Sequence, residues 1–188
     1  PNMFKKVRII DTVEVPPDKL GDVNKDLVKV LLQDKLEGRV DKSVGSVISV
    51  TKVHNLEEGV VLPGRPGVYY PTEFDAITFD ASMQEVVDGT VVEVVEFGAF
   101  VGIGPIDGLL HVSQISDEYL SFNGENQQLN SNESGKSIKV DDPVRTRIVT
   151  KSIDERNPRE SKIGLTAKQP GLGKHGWLTD KREREADN

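Results

Sequence analysis

The stretch GTVVEVVEFGAFVGIGPIDGLLHVSQI, residues 89–115, decides the fold of the C-terminal half of the chain. Its β-branched residues are interrupted by glycines and one proline, which predicts short strands joined by turns and is typical of a small all-β barrel. The spacing from Val91 to Val94 predicts a bulge in the first strand, because an extra residue helps a barrel strand turn its corner. Two aromatic residues, Phe97 and Phe100, flank Gly98.

These aromatic residues are candidates for binding a nucleic acid. On a small barrel, exposed rings form a platform on which bases stack, at about 1–3 kcal/mol per base and with little sequence preference. His111, at the end of the next predicted strand, would add a third ring. The alternative is that Phe97 and Phe100 simply pack in the barrel core. Phosphate contacts would come from the basic residues that follow the platform, namely Arg145, Arg147, Lys151, Arg156, Arg159 and Lys162.

Charge is distributed unevenly along the 188 residues, whose net charge is −7. Residues 66–135 contain 12 acidic residues and neither lysine nor arginine. This distribution argues against a uniformly basic nucleic-acid coat but leaves room for a local basic patch. A platform in this acidic block therefore predicts modest, salt-sensitive affinity for RNA.

Several classes of function are excluded by what the sequence lacks. Without cysteine there is no disulfide, thiol catalysis or cysteine-based metal site. The three histidines are too scattered to predict a metal site, and we expect no cofactor. No phosphate-binding loop or nucleophile elbow is present, so we expect no catalytic residue in this chain. No apolar run is long enough for a membrane span, and we expect a cytoplasmic location.

The N-terminal half has the pattern of an α/β domain. Residues 3–15 predict a strand that Pro16 and Pro17 end. An amphipathic helix should follow and end at Gly38, since apolar residues recur at helical spacing, namely Leu20, Val23, Leu27, Val30 and Leu31. Residues 39–53 and 74–79 predict further strands. The chain is therefore expected to be α+β, with an N-terminal domain over 1–82 and a barrel with a tail over 83–188.

The remaining segments of the second domain are less regular. Residues 117–135 are polar and predict a long loop between strands. Val144–Ile153 and Ser161–Thr166 predict two more strands, with 154–160 as the turn between them. Trp177–Ala186 has the pattern of one short helix.

A loop of the first domain has the composition of a docking surface. Residues 63–71 contain three prolines, two glycines and two adjacent tyrosines, and exposed aromatics on a stiffened loop are typical of interfaces. The alternative is that the tyrosines fold back onto their own sheet. The candidate docking residues are Gly64, Arg65, Pro66, Gly67, Tyr69, Tyr70 and Pro71.

The stretch 83–167 closely resembles the RNA-binding OB-fold domain repeated in bacterial ribosomal protein S-one. The resemblance maps that family's RNA face onto Phe97, Phe100 and His111, and its two remaining positions onto Asp154 and Lys162. The family often has arginine at the last position, so one bidentate phosphate contact is weaker here. A five-stranded OB-fold barrel is therefore expected.

The N-terminal half extends the resemblance to almost the whole chain. The segments DTVEVPP (11–17), LEGRV (36–40), YYP (69–71) and QPGLGK (169–174) are similar to those of the archaeal RNA polymerase E-prime subunits. These are the counterparts of the seventh-largest subunit of eukaryotic RNA polymerase II. The resemblance implies a truncated ribonucleoprotein-like domain before the barrel.

That family forms a stalk on the polymerase, and the resemblance carries its partners with it. It implies pairing with the polymerase's F subunit as a heterodimer, docking on the large subunits near the clamp, contact with single-stranded nascent RNA and a role in initiation. The alternative is a free-standing RNA-binding protein of translation or RNA decay that carries the same barrel. Co-purification with polymerase subunits, rather than with ribosomes or an exosome, would separate the two.

Overall fold

The computed structural model describes residues 3–178. The chain divides into two compact units, the first extending to Asp80 and the second beginning at Ala81. The short segment Asp154–Pro158 is grouped with the first unit, and the residues from Arg159 onward return to the second. The predicted boundary lay two residues later, and it did not include this exchange. The predicted helix over Trp177–Ala186 lies largely outside the described residues.

The first unit is an antiparallel sheet with one helix against it. Its strands have the order β1-β5-β3-β2, and the short β4 extends the pairing of β5. The core joins one face of this sheet to the helix. The elements are β1 (Phe4–Val15), α1 (Lys25–Leu36), β2 (Val40–Asp41), β3 (Gly45–Leu56), β4 (Val60–Val61) and β5 (Val68–Phe79), with a 3-10 turn at Pro17–Lys19.

The helix starts later than the sequence predicts. The side chain of Asn24 accepts a hydrogen bond from the Leu27 amide at 2.9 Å and so caps the first turn. Val28 and Leu32 are fully buried against the sheet, whereas Val30 is exposed. The prediction of Val30 in the apolar face was therefore wrong. Helical spacing allowed two overlapping sets of apolar residues to face inward, and contact with the sheet selects the set that contains Val28 and Leu32. Gly38, with φ +82°, follows the helix as predicted.

The second unit contains a closed five-stranded barrel. The strands run β13-β8-β7-β6-β12, and β13 also pairs with β12, which closes the ring. The pairing of β13 with β8 is parallel, and the other barrel pairings are antiparallel. This confirms the expected α+β fold class with an OB-type barrel. The strands are β6 (Val86–Val95), β7 (Gly98–Gly102), β8 (Asp107–His111), β9 (Leu120–Asn123), β10 (Gln128–Ser131), β11 (Ser137–Lys139), β12 (Pro143–Ser152), β13 (Lys162–Thr166) and β14 (Gly173–Lys174).

Two local features shape the barrel where β6 meets β7 and β7 meets β8. The register of β6 against β7 shifts between Val91 and Glu93, which confirms the predicted bulge. Gly98 starts β7 with φ +158°, and a Cβ there would lie 2.3 Å from the carbonyl oxygen of Leu110. Only glycine lets the two strands approach this closely.

Residues 117–135 are not the long loop that the sequence predicts. They contribute β9 and β10, and with β11 these form a separate three-stranded antiparallel sheet. Leu129 and Ile138 are buried in it. The hydroxyls of Ser131 and Ser134 donate to Glu118, each at 2.6 Å. These side-chain hydrogen bonds hold a segment with few apolar residues, so the hydrophobic pattern gave no indication of the strands.

No helix within residues 3–178 combines the length and apolar character that crossing a membrane requires.

Candidate nucleic-acid interface

The predicted platform residues meet on the outer surface of the barrel. Phe97 precedes β7, its carbonyl accepts the amide of Val112 at 2.8 Å, and its side chain is 49% exposed. The rings of Phe97 and Phe100 are 6.2 Å apart, centre to centre, and stand edge to face at 85°. His111 lies opposite Gly98 across the β7–β8 pair. The three residues therefore lie at the same end of these two strands.

Strand alternation explains why these rings face outward. Ala99 and Leu110 pair with each other and are fully buried in the barrel. Because successive side chains of a strand point to opposite faces, Phe100 and His111 point away from the core. Neither phenylalanine belongs to the buried core, so the structure does not support the alternative in which both pack inside it.

The orientation of His111 is fixed by its neighbour. The backbone amide of Ser113 donates to Nδ1 at 3.1 Å, and the Ser113 hydroxyl lies 2.8 Å from the same atom. Since Nδ1 accepts the amide hydrogen, the neutral ring carries its proton on Nε2. The exposed ring thus offers Nε2–H as a donor beside the two phenylalanines.

Lys162 shares the outer face but lies farther along it. It is the exposed first residue of β13, whose next residue, Ile163, is buried and level with Gly108 of β8. Lys162 is therefore level with Asp107, four residues from His111, or roughly 13 Å along the strand.

Asp154 has a clear local role in the turn after β12. Its carboxylate accepts the amides of Arg156 at 3.1 Å and Asn157 at 3.0 Å, so it caps this turn. Arg156 and Arg159 are both exposed. Lys151, near the end of β12, is half-buried opposite Ile163.

Arg145 and Arg147 are engaged elsewhere on β12. Arg145 donates to Asp88 at 2.9 Å, and this hydrogen bond holds the pKa of Asp88 below its usual value. Arg147 donates to the side chain of Gln169 and to the carbonyl of Gln84. Arg145 lies opposite Asp88 of β6, and Arg147 lies opposite Thr166 at the end of β13. Both side chains are thus occupied by hydrogen bonds within the barrel unit.

The predicted docking loop is shorter than expected. Tyr69, Tyr70 and Pro71 belong to β5, where they pair with residues 12–14 of β1. Tyr70 packs against the core of the first unit, and a Cβ on Gly59 would lie 2.7 Å from its ring. Neither tyrosine belongs to an exposed loop. Because prolines and glycines lie on either side, the sequence pattern predicted a loop where β5 begins, at Val68.

The exposed part of this hairpin is residues 60–66, which we call the hairpin tip. Val60, Val61 and Leu62 are exposed there, Val61 by 71%. Gly64, Arg65 and Pro66 are exposed as well, while Gly67 is buried, and a Cβ on it would lie 2.8 Å from the Val15 carbonyl oxygen. The three apolar residues were missed as docking candidates because they had the pattern of an ordinary strand.

Within residues 3–178, no group of three or more histidine, aspartate or glutamate side chains could hold a metal ion.

Two family models match the chain, one for each unit. Residues 83–162 match the S1 RNA binding domain. Residues 10–67 match the SHS2 domain found in the N terminus of Rpb7p/Rpc25p/MJ0397.

Relatives match over almost the full length. DNA-directed RNA polymerase subunit Rpo7 of Saccharolobus solfataricus is 34% identical over 96% of this chain and 100% of its own. Rpo7 of Sulfolobus acidocaldarius is 36% identical over 94% of this chain and 95% of its own. DNA-directed RNA polymerase V subunit 7 of Arabidopsis thaliana is 26% identical over 78% of this chain and 84% of its own.

These matches confirm the resemblance to the E-prime subunits and to the S-one RNA-binding domain. The near-complete coverage in both directions distinguishes this chain from proteins that share only the barrel. The chain belongs to the Rpo7 family of DNA-directed RNA polymerase subunits and carries an S1 RNA-binding domain.

Proposed function

We propose that this protein is a non-catalytic stalk component of the polymerase that holds single-stranded nascent RNA on the platform of Phe97, Phe100 and His111. The exposed ring of Phe97, turned away from the barrel core beside two further rings, is the observation that carries this proposal. Exposed aromatic rings are costly to leave in water and are suited to stacking on bases. In this proposal Lys162 contacts phosphate, and Lys151 and Arg159 add a weaker general attraction.

The test is RNA crosslinking and binding with the triple variant Phe97→Ala, Phe100→Ala, His111→Ala. Loss of stacking at about 1–3 kcal/mol per base should weaken binding of an oligouridine by roughly tenfold or more. Met83→Ala is the matched control, because Met83 is an apolar residue of the same unit with the same 49% exposure. Unchanged crosslinking of the triple variant would remove the platform from the RNA path.

We further propose that the hairpin tip docks on the large subunits near the clamp, while another surface pairs with the F subunit, and that the stalk assists initiation. The exposed apolar side chains of Val60, Val61 and Leu62 support docking, since such clusters mark interfaces. The tyrosines of β5 act indirectly by holding the base of the hairpin.

The docking proposal is tested with the double variant Val61→Ser, Leu62→Ser. Recruitment to core polymerase should fall, while co-purification with the F subunit should persist. Ile10→Ser is the control, because Ile10 is even more exposed than Val61 but lies in the middle of β1. Normal recruitment of the double variant would exclude the hairpin tip as the docking contact.

A further inference from the structure

A second candidate site lies beside the platform on the barrel unit. It is an open groove of about 890 Å³, formed by the residue before Phe97, by the segment that follows β8 and by β9. Its lining includes Glu96, which precedes Phe97, and Ser113, which orients His111, so the groove adjoins the platform. The charged and aromatic side chains that line it are those of Glu96, Asp117, Glu118, Tyr119, Phe122 and Lys168.

Two aromatic residues of this groove face solvent. Tyr119 is 77% exposed, and Phe122 is also exposed. The three-stranded sheet does not need Tyr119 for its packing, since Leu120, Leu129 and Ile138 are the buried residues there. Exposed tyrosines are enriched where protein surfaces meet partners, because a large rigid ring loses little entropy on binding.

The charge of the groove is negative. Among the described residues that line it, Lys168 is the only basic one, and its ammonium is paired with Asp117 at 2.7 Å. Hydrogen bonds from the hydroxyls of Ser131 and Ser134 lower the pKa of Glu118, so this carboxylate stays ionised. Glu96 adds a further exposed carboxylate. Apart from Lys168, the groove lies within the block of 66–135, which has no lysine or arginine.

This combination separates the groove from the RNA platform. A phosphate backbone entering it would face more carboxylates than cations, and the excess negative charge repels it. A guanidinium or ammonium group would instead be attracted by the carboxylates and by the face of the Tyr119 ring, where cation–π contact is favourable. Charge complementarity therefore selects a cationic occupant.

We propose that the groove binds an extended, arginine- or lysine-rich segment of a partner protein, with a cationic side chain over Tyr119 and others near Glu96 and Glu118. Such a site is separate from the proposed RNA contact, since it places a protein partner next to the RNA on the same unit. An RNA-bound platform and a peptide-bound groove would then meet at Ser113.

The test measures fluorescence anisotropy of two labelled probes on the full chain: a short peptide of alternating arginine and serine, and an oligouridine. Tyr119→Ala should weaken peptide binding by about two- to fivefold and leave oligouridine binding unchanged. Tyr119→Phe should retain most of the peptide affinity, because the ring face remains. Phe97→Ala should give the opposite result, with weaker RNA binding and unchanged peptide binding, which keeps the two proposals distinguishable.

Charge variants complete the experiment. Glu96→Lys should weaken the peptide further, and a peptide with glutamate in place of arginine should not bind. Peptide affinity that is the same for Tyr119→Ala and the unaltered chain would overturn the proposal. So would loss of oligouridine binding in Tyr119→Ala, which would make the groove part of the RNA site. Since Tyr119 is largely exposed, these variants should keep the fold.

Discussion

Two aromatic pairs, Tyr69–Tyr70 in β5 and Phe97–Phe100 at β7, look alike in sequence and behave differently in the structure. Each lies near glycines, and each was a candidate for an exposed contact surface. Tyr70 turns into the core of the first unit, while Tyr69 lies on the opposite face of the sheet. Phe97 and Phe100 both lie outside the barrel core and contact each other.

The difference comes from spacing and from the ladder. Adjacent residues within a strand point to opposite faces, so a tyrosine pair in β5 is split. Phe97 precedes β7, and Gly98 changes the direction of the backbone before the alternation begins, so a spacing of three brings two rings together. The contact between the two rings therefore depends on the change of backbone direction at Gly98 as well as on the rings themselves.

Gly98→Val should disrupt the aromatic platform and have the largest effect on stability of the variants considered. The new side chain would meet the Leu110 carbonyl and the backbone of His111, neither of which is a flexible side-chain end. We expect the free energy of unfolding to fall by about 3 kcal/mol, measured by urea denaturation. Gly124→Ala is the control, because its Cβ would meet only a Phe122 ring carbon, at 3.6 Å. Equal stability of the two variants would contradict the close approach of β7 and β8.

Replacing the two tyrosines of β5 separately should give unequal losses of stability, because only Tyr70 packs against the core. Tyr70→Ala removes a ring that packs against the core and should destabilise the first unit by about 2 kcal/mol. Tyr69→Ala should cost less than about 1 kcal/mol. Hydrogen exchange at the amides of β5 reports on this unit by itself. Faster exchange in Tyr69→Ala than in Tyr70→Ala would reverse the assignment of faces.

The face of the sheet that carries Tyr69 also carries a buried carboxylate. The ring of His54 lies 2.6 Å from Asp75, and this hydrogen bond, with a second from Arg8, lowers the pKa of Asp75 to about 2, from 3.8. The folded state therefore binds this proton less tightly than the unfolded state does. The ionised carboxylate of Asp75 therefore stabilises the folded state above about pH 4, and this stabilisation is lost as the pH falls toward 2.

Acid unfolding of the first unit, followed by circular dichroism, checks this dependence. Asp75→Asn should be less stable at neutral pH and should lose less stability between pH 4 and pH 2 than the unaltered chain. Glu57→Gln is a control on the same unit. An unchanged acid profile in Asp75→Asn would show that Asp75 does not control it.

Phe97→Ala should have the smallest effect on stability. Half of the ring is exposed, and the edge contact with Phe100 is worth about 0.5 kcal/mol. The same change should weaken oligouridine binding several-fold. A stability loss as large as that of Tyr70→Ala would mean that Phe97 is a packing residue after all, and the two aromatic pairs would then be equivalent.

Much of the fold could be predicted from sequence, because these elements have local patterns that tertiary contacts do not change. The first strand, the helix end at Gly38, the bulge after Val91 and the barrel strands are all of this kind. The helix face was partly wrong because only contact with the sheet places Val28 and Leu32 inward. The sheet of β9–β11 was missed because its few buried apolar residues, Leu120, Leu129 and Ile138, are separated by polar stretches that show no strand periodicity.

The candidate site was only partly accessible from sequence. Phe97, Phe100 and His111 are near in sequence, and their convergence follows from one pair of strands. The engagement of Arg145 with Asp88 could not be predicted, because it depends on the register of β12 against β6. Tyr119 was hidden inside an apparent loop, and its exposure becomes meaningful only when the groove is known.

The parallel pairing of β13 with β8 has a consequence for synthesis of the chain. The two strands are separated by about fifty residues of sequence, and contacts this distant form slowly because a long loop must close first. During translation, β6, β7 and β8 leave the ribosome together, but the ring stays open until Lys162–Thr166 has emerged. The edge of β8 is exposed throughout this interval, and the edge of β12 is exposed from its own synthesis until β13 pairs with it. The meander of β9–β11, whose pairings are local, can fold early and shorten the loop that remains to be closed.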